Sequence, residues 1–137
     1  NPTVGVENSG APLHVGDVRQ STVGSSKVRV SFQVSNLGQG QVYRPNTFST
    51  SCVGMENEKE QLDVRVYSPD KNFNIECSQL NNKDSGAIKL VSGKKDISCT
   101  IDTSSLSDVM VQDILIIELD YQYREAVATA LTVASSA

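Results

Sequence analysis

An alternation of apolar and polar residues with a period of two runs through most of this chain and leaves one class of fold open to it. Val28, Val30, Phe32 and Val34 alternate with Arg29, Ser31 and Gln33, which puts the apolar set on one face of a strand and the polar set on the other. A helix would split the same four residues between opposite sides. Leu62, Val64 and Val66 alternate with Asp63, Arg65 and Tyr67; Phe73, Ile75 and Cys77 with Asn74 and Glu76; Ile97, Cys99 and Ile101 with Ser98 and Thr100. In the longest run, Leu115, Ile117, Leu119, Tyr121 and Tyr123 share one parity, and Glu118, Asp120, Gln122 and Arg124 the other. Its start, Ile114 to Ile117, is apolar on both faces, as in a central strand covered on both sides. Val127, Thr129, Leu131 and Val133 repeat the pattern in a final strand.

Turn chemistry separates these runs. Asn36-Leu37-Gly38-Gln39-Gly40, Ser68-Pro69-Asp70-Lys71-Asn72, Asn81 to Gly86 and Ser92-Gly93-Lys94-Lys95 are turn sequences, the last two bracketing a short Ile88/Leu90 strand. Tyr123-Arg124-Glu125-Ala126 is expected at the tip of a terminal hairpin. Leu13 and Val15 have one parity and Val18 the other, so Gly16 is expected to supply a bulge that switches this strand between sheets. Asp102 to Asp108 has room for one helical or 3-10 turn capped by Asp102 or Ser104. The sum is about eight or nine short strands, an all-β chain that reads as an antiparallel immunoglobulin-like β-sandwich. With no Trp between its cysteines, it is not an antibody-type domain.

At 137 residues the chain is one domain's length. Residues 1–11 are expected as an N-terminal tether or donor-type segment, 12–133 as the sandwich and 134–137 as a linker. The chain opens on Asn1 rather than Met, as a processed protein or part of a longer one does.

Charge and residue types exclude several functions. With 12 Lys and Arg against 16 Asp and Glu, and only the Lys94-Lys95 pair in a turn, there is no basic face to neutralise phosphates, so no nucleic-acid partner is expected. No apolar run approaches the roughly 18 residues of a membrane helix, so no membrane insertion is expected within this segment. His14 is the single histidine, on the polar parity of the first strand, and no G-x-S-x-G sequence supplies a nucleophile for it. Glu56-Asn57-Glu58-Lys59-Glu60 does not match the calcium loop pattern. No catalytic, cofactor-binding or metal-binding residue is assigned, and the chain reads as non-enzymatic. It also lacks an N-x-S/T sequon.

Three cysteines occur, Cys52, Cys77 and Cys99, in no metal-binding spacing. Cys77 and Cys99 both lie on the apolar parity of strands. A bridge between them would stabilise by about 3 kcal/mol on the chain-entropy model. Three buried free thiols fit the sequence as well. With the bridge, Cys52 is the odd thiol, open to pairing with a neighbouring subunit.

The segment from Val28 to Val42, with Val34-Ser35-Asn36-Leu37-Gly38-Gln39-Gly40 at its centre, resembles the strand–Asn–Gly portion of CARDB-like immunoglobulin-like adhesion modules. Ile75-Glu76-Cys77, Asp84 to Leu90, Ile97-Ser98-Cys99 and Ile116 to Tyr123 are similar to β-sandwich domains of archaeal cell-surface proteins. The resemblance covers roughly residues 12–133. It implies an exported, non-enzymatic structural or adhesion module of the cell surface, as a pilus-like filament subunit or a domain of a larger protein. Its partners would be further copies of itself or neighbouring domains. Thr3-Val4-Gly5-Val6 has the alternation of a donor strand, with Val4 and Val6 filling pockets of a neighbour's sheet and Cys52 as a further inter-subunit contact. The alternative is a monomeric secreted binding module for carbohydrate or a protein partner. It would use the long Val42–Glu60 connection and the rings of Tyr43 and Tyr67.

Overall fold

The computed structural model of the chain describes residues 10–45, 58–69, 72–104 and 114–125. The first hairpin joins β1 (Leu13–Val23) to β2 (Lys27–Asn36) through a turn that Gly24 enters at φ 68°. β2 is the strand whose alternation was cleanest, and its buried residues are Val30, Phe32 and Val34. Partway along β1, Gly16 faces Gln33 and Arg19 faces Ser31, so Asp17 and Val18 together oppose Phe32. This is a β-bulge, with Asp17 in the left-handed region at φ 50°. It corrects the expectation on two points. The bulged residues are Asp17 and Val18 rather than Gly16, and β1 stays in one sheet from Leu13 to Val23. The extra residue reverses parity in place, so Leu13, Val15 and Val18 all reach the same core.

The short strand β3 (Gln41–Tyr43) follows the Asn36–Gly40 turn, and β4 (Gln61–Tyr67), β5 (Asn74–Cys77), β6 (Ser85–Lys89), β7 (Lys94–Asp102), β8 (Ile116–Asp120) and β9 (Gln122–Arg124) complete the described strands. One sheet has the order β1-β2-β7-β5. The opposing layer comprises β6-β4-β8 and the β3–β9 ribbon. Only Tyr121 separates β8 from β9, so one stretch of chain pairs first with β4 and then with β3. Counting β3 and β4 as one interrupted strand, the layers have the A-B-E-D and C-F pairing of an immunoglobulin-type sandwich, with β6 as an additional strand beyond β4. All pairings are antiparallel.

The core is one cluster filled from both layers. Val30, Phe32, Val34, Ile97, Cys99 and Ile101 come from one side; Val42, Leu62, Val64, Val66 and Ile88 come from the other. Among the described residues, no polar or charged side chain is buried. Leu115, Ile117, Leu119, Tyr121 and Tyr123 pack against this cluster but are only partly buried. The central position expected for the double-sided apolar start of that run turns on neighbours that lie outside the described residues. Ile114 is 64% exposed, and β8 is the last described strand of its sheet. On the outer face Ile116 lies across from Tyr67.

A 3-10 turn occurs at Ser78–Leu80, closed by Asn81 at φ 55°. At the expected site, the Asp102 carboxylate accepts the Ser104 N–H at 2.9 Å; residues 105–108 lie outside the described residues. So do Val4, Val6, Cys52 and the final strand from Val127 to Val133.

Candidate functional site

Three local arrangements stand out. The first is the disulfide between Cys77 and Cys99, with an S–S distance of 2.03 Å. The two residues are register partners on β5 and β7. The Cys77 N–H donates to the Lys83 carbonyl at 3.0 Å, and its carbonyl accepts the Asn82 N–H at 3.0 Å. Both backbone groups of Cys77 thus turn away from β7, leaving the cysteines as a non-hydrogen-bonded pair, the kind in which facing Cα atoms come closest. Both residues are at most 1% exposed.

The second arrangement ties the β2–β3 turn to β9. Gly38 N–H donates to Asn36 Oδ1 at 3.0 Å, and Asn36 Nδ2 donates to the Gly40 carbonyl at 3.1 Å. The Gly40 N–H then donates to the Tyr123 hydroxyl. A Cβ on Gly38 would collide with that hydroxyl, and one on Gly40 with the Arg124 carbonyl. The glycines are required because the tyrosine and the β9 backbone lie directly against the turn. From here β3 carries Val42 and Tyr43 into the core, and the chain leaves and returns at a pinned base. Glu60 N–H donates to the Val42 carbonyl at 2.6 Å, and Arg44 N–H to the Glu58 carbonyl at 3.3 Å. The Val42–Glu60 connection therefore begins and ends as strand pairing. Its residues 46–57 lie outside the described residues.

The third is a shallow open depression of about 260 Å³ on the outer face of β6-β4-β8, lined by Arg44, Asp63, Arg65, Ser85, Glu118 and Asp120. Strand alternation places these polar residues outward, while Val64 and its neighbours face the core. Ser85 and Ala87, the small residues of β6, leave the space open on one side. Arg44 Nη2 is 3.2 Å from Asp63 Oδ1, and Arg44 Nε is 3.9 Å from Glu58 Oε2. Arg65 faces Glu118 across the strands, and Asp63 faces Asp120. The Arg65 guanidinium instead lies over the Tyr67 ring, 4.2 Å from its centroid.

No family model, curated protein or solved structure matches the chain.

The Tyr67 ring is on the outer face, half-buried under Arg65. Tyr43 is only 4% exposed, with its hydroxyl donating to Gln41 Oε1 at 3.0 Å; it presents no ring to a ligand, because β3 turns it inward. Tyr121 and Tyr123 pack against the core as their parity requires. His14 is half-buried on β1. Among the described residues, no three His, Cys, Asp or Glu side chains converge as a metal site, and no helix is long and apolar enough to cross a membrane. The grouping of Arg44 with Asp63, Arg65, Glu118 and Asp120 was missed in the sequence. Each belongs to the polar half of an alternation, but only the β4–β8 register brings them together.

Proposed function

We propose that this chain is a non-enzymatic structural and adhesion module of the cell exterior, working as a filament subunit or as a domain of a larger surface protein. The observation that carries the reading is the buried Cys77–Cys99 disulfide inside an antiparallel all-β fold, and the sheet geometry at β8 bears on how copies would join. Leu90 N–H bonds to the Glu60 carbonyl, and Val66 N–H to the Asp84 carbonyl. Even-numbered residues of β4 thus direct their backbone groups toward β6, and odd-numbered ones toward β8. With Asp63 opposite Asp120 and Arg65 opposite Glu118, the backbone groups of Ile117 and Leu119 point away from β4, to the side on which no described strand pairs with β8. Their side chains are partly buried apolar groups on the core face. A strand on that side, from this chain or from another copy, gains both ladder bonds and apolar contact.

The buried disulfide supports an oxidising compartment, since such bonds persist outside the cytosol. The donor is the Val4/Val6 segment of a neighbouring copy. Electron microscopy and non-reducing gels on natively purified protein test this reading. Ordered filaments that vanish when residues 1–10 are deleted support it; a monodisperse monomer, or filaments unaffected by the deletion, refutes donor-strand assembly. A second reading, a monomeric secreted binding module, is favoured by the depression on the outer face of β6-β4-β8.

A further inference from the structure

We infer that the depression between β6, β4 and β8 binds a neutral carbohydrate, using the guanidinium of Arg65 and the carboxylates of Glu118 and Asp120 against vicinal hydroxyls. The inference rests on the second reading, that of a binding module, and gives it a site and a ligand class.

The depression combines donors and acceptors in near balance. Arg65 and the Ser85 hydroxyl donate and Glu118 and Asp120 accept, while Arg44 and Asp63 are already joined to each other at the rim. An anion placed there meets three carboxylates, and a cation meets two guanidinium groups. A ligand of neutral hydroxyls, each both donor and acceptor, meets donors and acceptors together at no Coulombic cost. Planar carboxylates and guanidinium forks also match two adjacent hydroxyls geometrically.

Arg65 and Glu118 are direct cross-strand neighbours of opposite charge, and such a pair ordinarily closes on itself. Here the guanidinium lies over Tyr67, and both Arg65 and Glu118 line the depression. Asp120 stands across from Asp63, whose own partner is Arg44. Two like charges directly opposite are unfavourable in a sheet, and hydroxyl donors between them would relieve the repulsion. The size, about 260 Å³, lies just under the usual range for a small-molecule site, as suits a single sugar unit held on an open face. Its backbone is a paired three-stranded sheet, so the side chains are held on a rigid floor.

The test is amide chemical-shift mapping on the full chain at millimolar glucose, galactose, mannose and N-acetylglucosamine, together with an array of neutral oligosaccharides. Glucuronate and a trilysine peptide serve as anionic and cationic probes. Saturable shifts at Asp63, Arg65, Ser85 and Glu118 with at least one neutral sugar are expected. R65Q and E118Q should each weaken that binding at least tenfold. Q33A, on the outer face of the other sheet, should leave it unchanged. Both site variants are surface changes, and an unaltered thermal melt confirms their fold. The inference is overturned if no neutral sugar moves these amides, if only trilysine or glucuronate does, or if R65Q and E118Q bind as the parent does. Sugar binding that maps elsewhere on the chain would overturn this site while sparing the binding-module reading.

Discussion

Tyr123 shows how one side chain holds two distant parts of this chain together. It lies 83 residues from Gly40, whose N–H it receives, and it leaves no space for a side chain on Gly38. Tyr123→Phe keeps the ring in its packing and removes the acceptor, so it is expected to cost about 1 kcal/mol in urea unfolding. Gly40→Ala should cost more, since its Cβ meets backbone at Arg124 rather than a movable side chain. The sequence flagged Asn36, Gly38 and Gly40 as a turn and Tyr123 as a core residue, both correctly. Their joining was illegible because a contact between distant residues leaves no periodicity. A smaller effect belongs to Asp102. Hydrogen bonds from Ser104 hold its carboxyl below the ordinary aspartate range, and Lys27 adds to this. A pKa depressed by folding contributes stability above the unfolded value, and that stability is lost as pH falls through the folded value. Acid titration of unfolding should therefore be shallower in D102N than in the parent below the ordinary aspartate pKa, with the two parallel near neutrality.

At the scale of elements, alternation placed β2, β4, β5, β7 and the β8–β9 stretch because each buries one face against the same core. It missed β3, since three residues are too few to show a period. The bulge in β1 was visible as a parity change between Val15 and Val18, but Gly16 drew attention from the residue that bulges. Asp17 holds φ 50°, where a side chain is strained and glycine is not. D17G is expected to be neutral to stabilising by about 0.5 kcal/mol, the relief of strain exceeding the extra freedom of glycine in the unfolded chain. Differential scanning calorimetry can read that shift. The Cys77–Cys99 bridge spans a sequence separation of 22, for which the chain-entropy model gives about 3 kcal/mol. The C77A/C99A double variant should lose that much in denaturant unfolding, plus any cost of two smaller core side chains. Unfolded but unreduced chains that run as monomer on a non-reducing gel should titrate one thiol each, against three after reduction.

Among the described strands, the two larger sheets end at β1, β5, β6 and β8. β1 is long, but the bulge at Asp17 and Val18 interrupts it, and Asp17 and Arg19 stand exposed along it; both devices discourage pairing with another chain. β5 is four residues long, and the returning segment at Asn82 and Lys83 bonds to Cys77 on its outer side. β6 is five residues long and ends in Lys89. β8 is as short as β6 and carries Glu118 and Asp120 on its outer face, beside the apolar Ile116 there and Ile117 and Leu119 on the core face. The two-sided apolar start of this run was legible in the sequence, and what lies on its side away from β4 falls outside the described residues. A strand from this chain or from another copy would meet the same apolar surface. Lysine is the usual deterrent to strand addition, and Ile116 is the position where it can be introduced without entering the core. Ile116→Lys should leave unfolding free energy within about 0.5 kcal/mol of the parent while reducing self-association in sedimentation velocity. If Ile116→Lys associates as the parent does while deletion of residues 1–10 abolishes association, the donor segment is right and the acceptor is not β8. If both variants associate unchanged, the copies meet without strand addition.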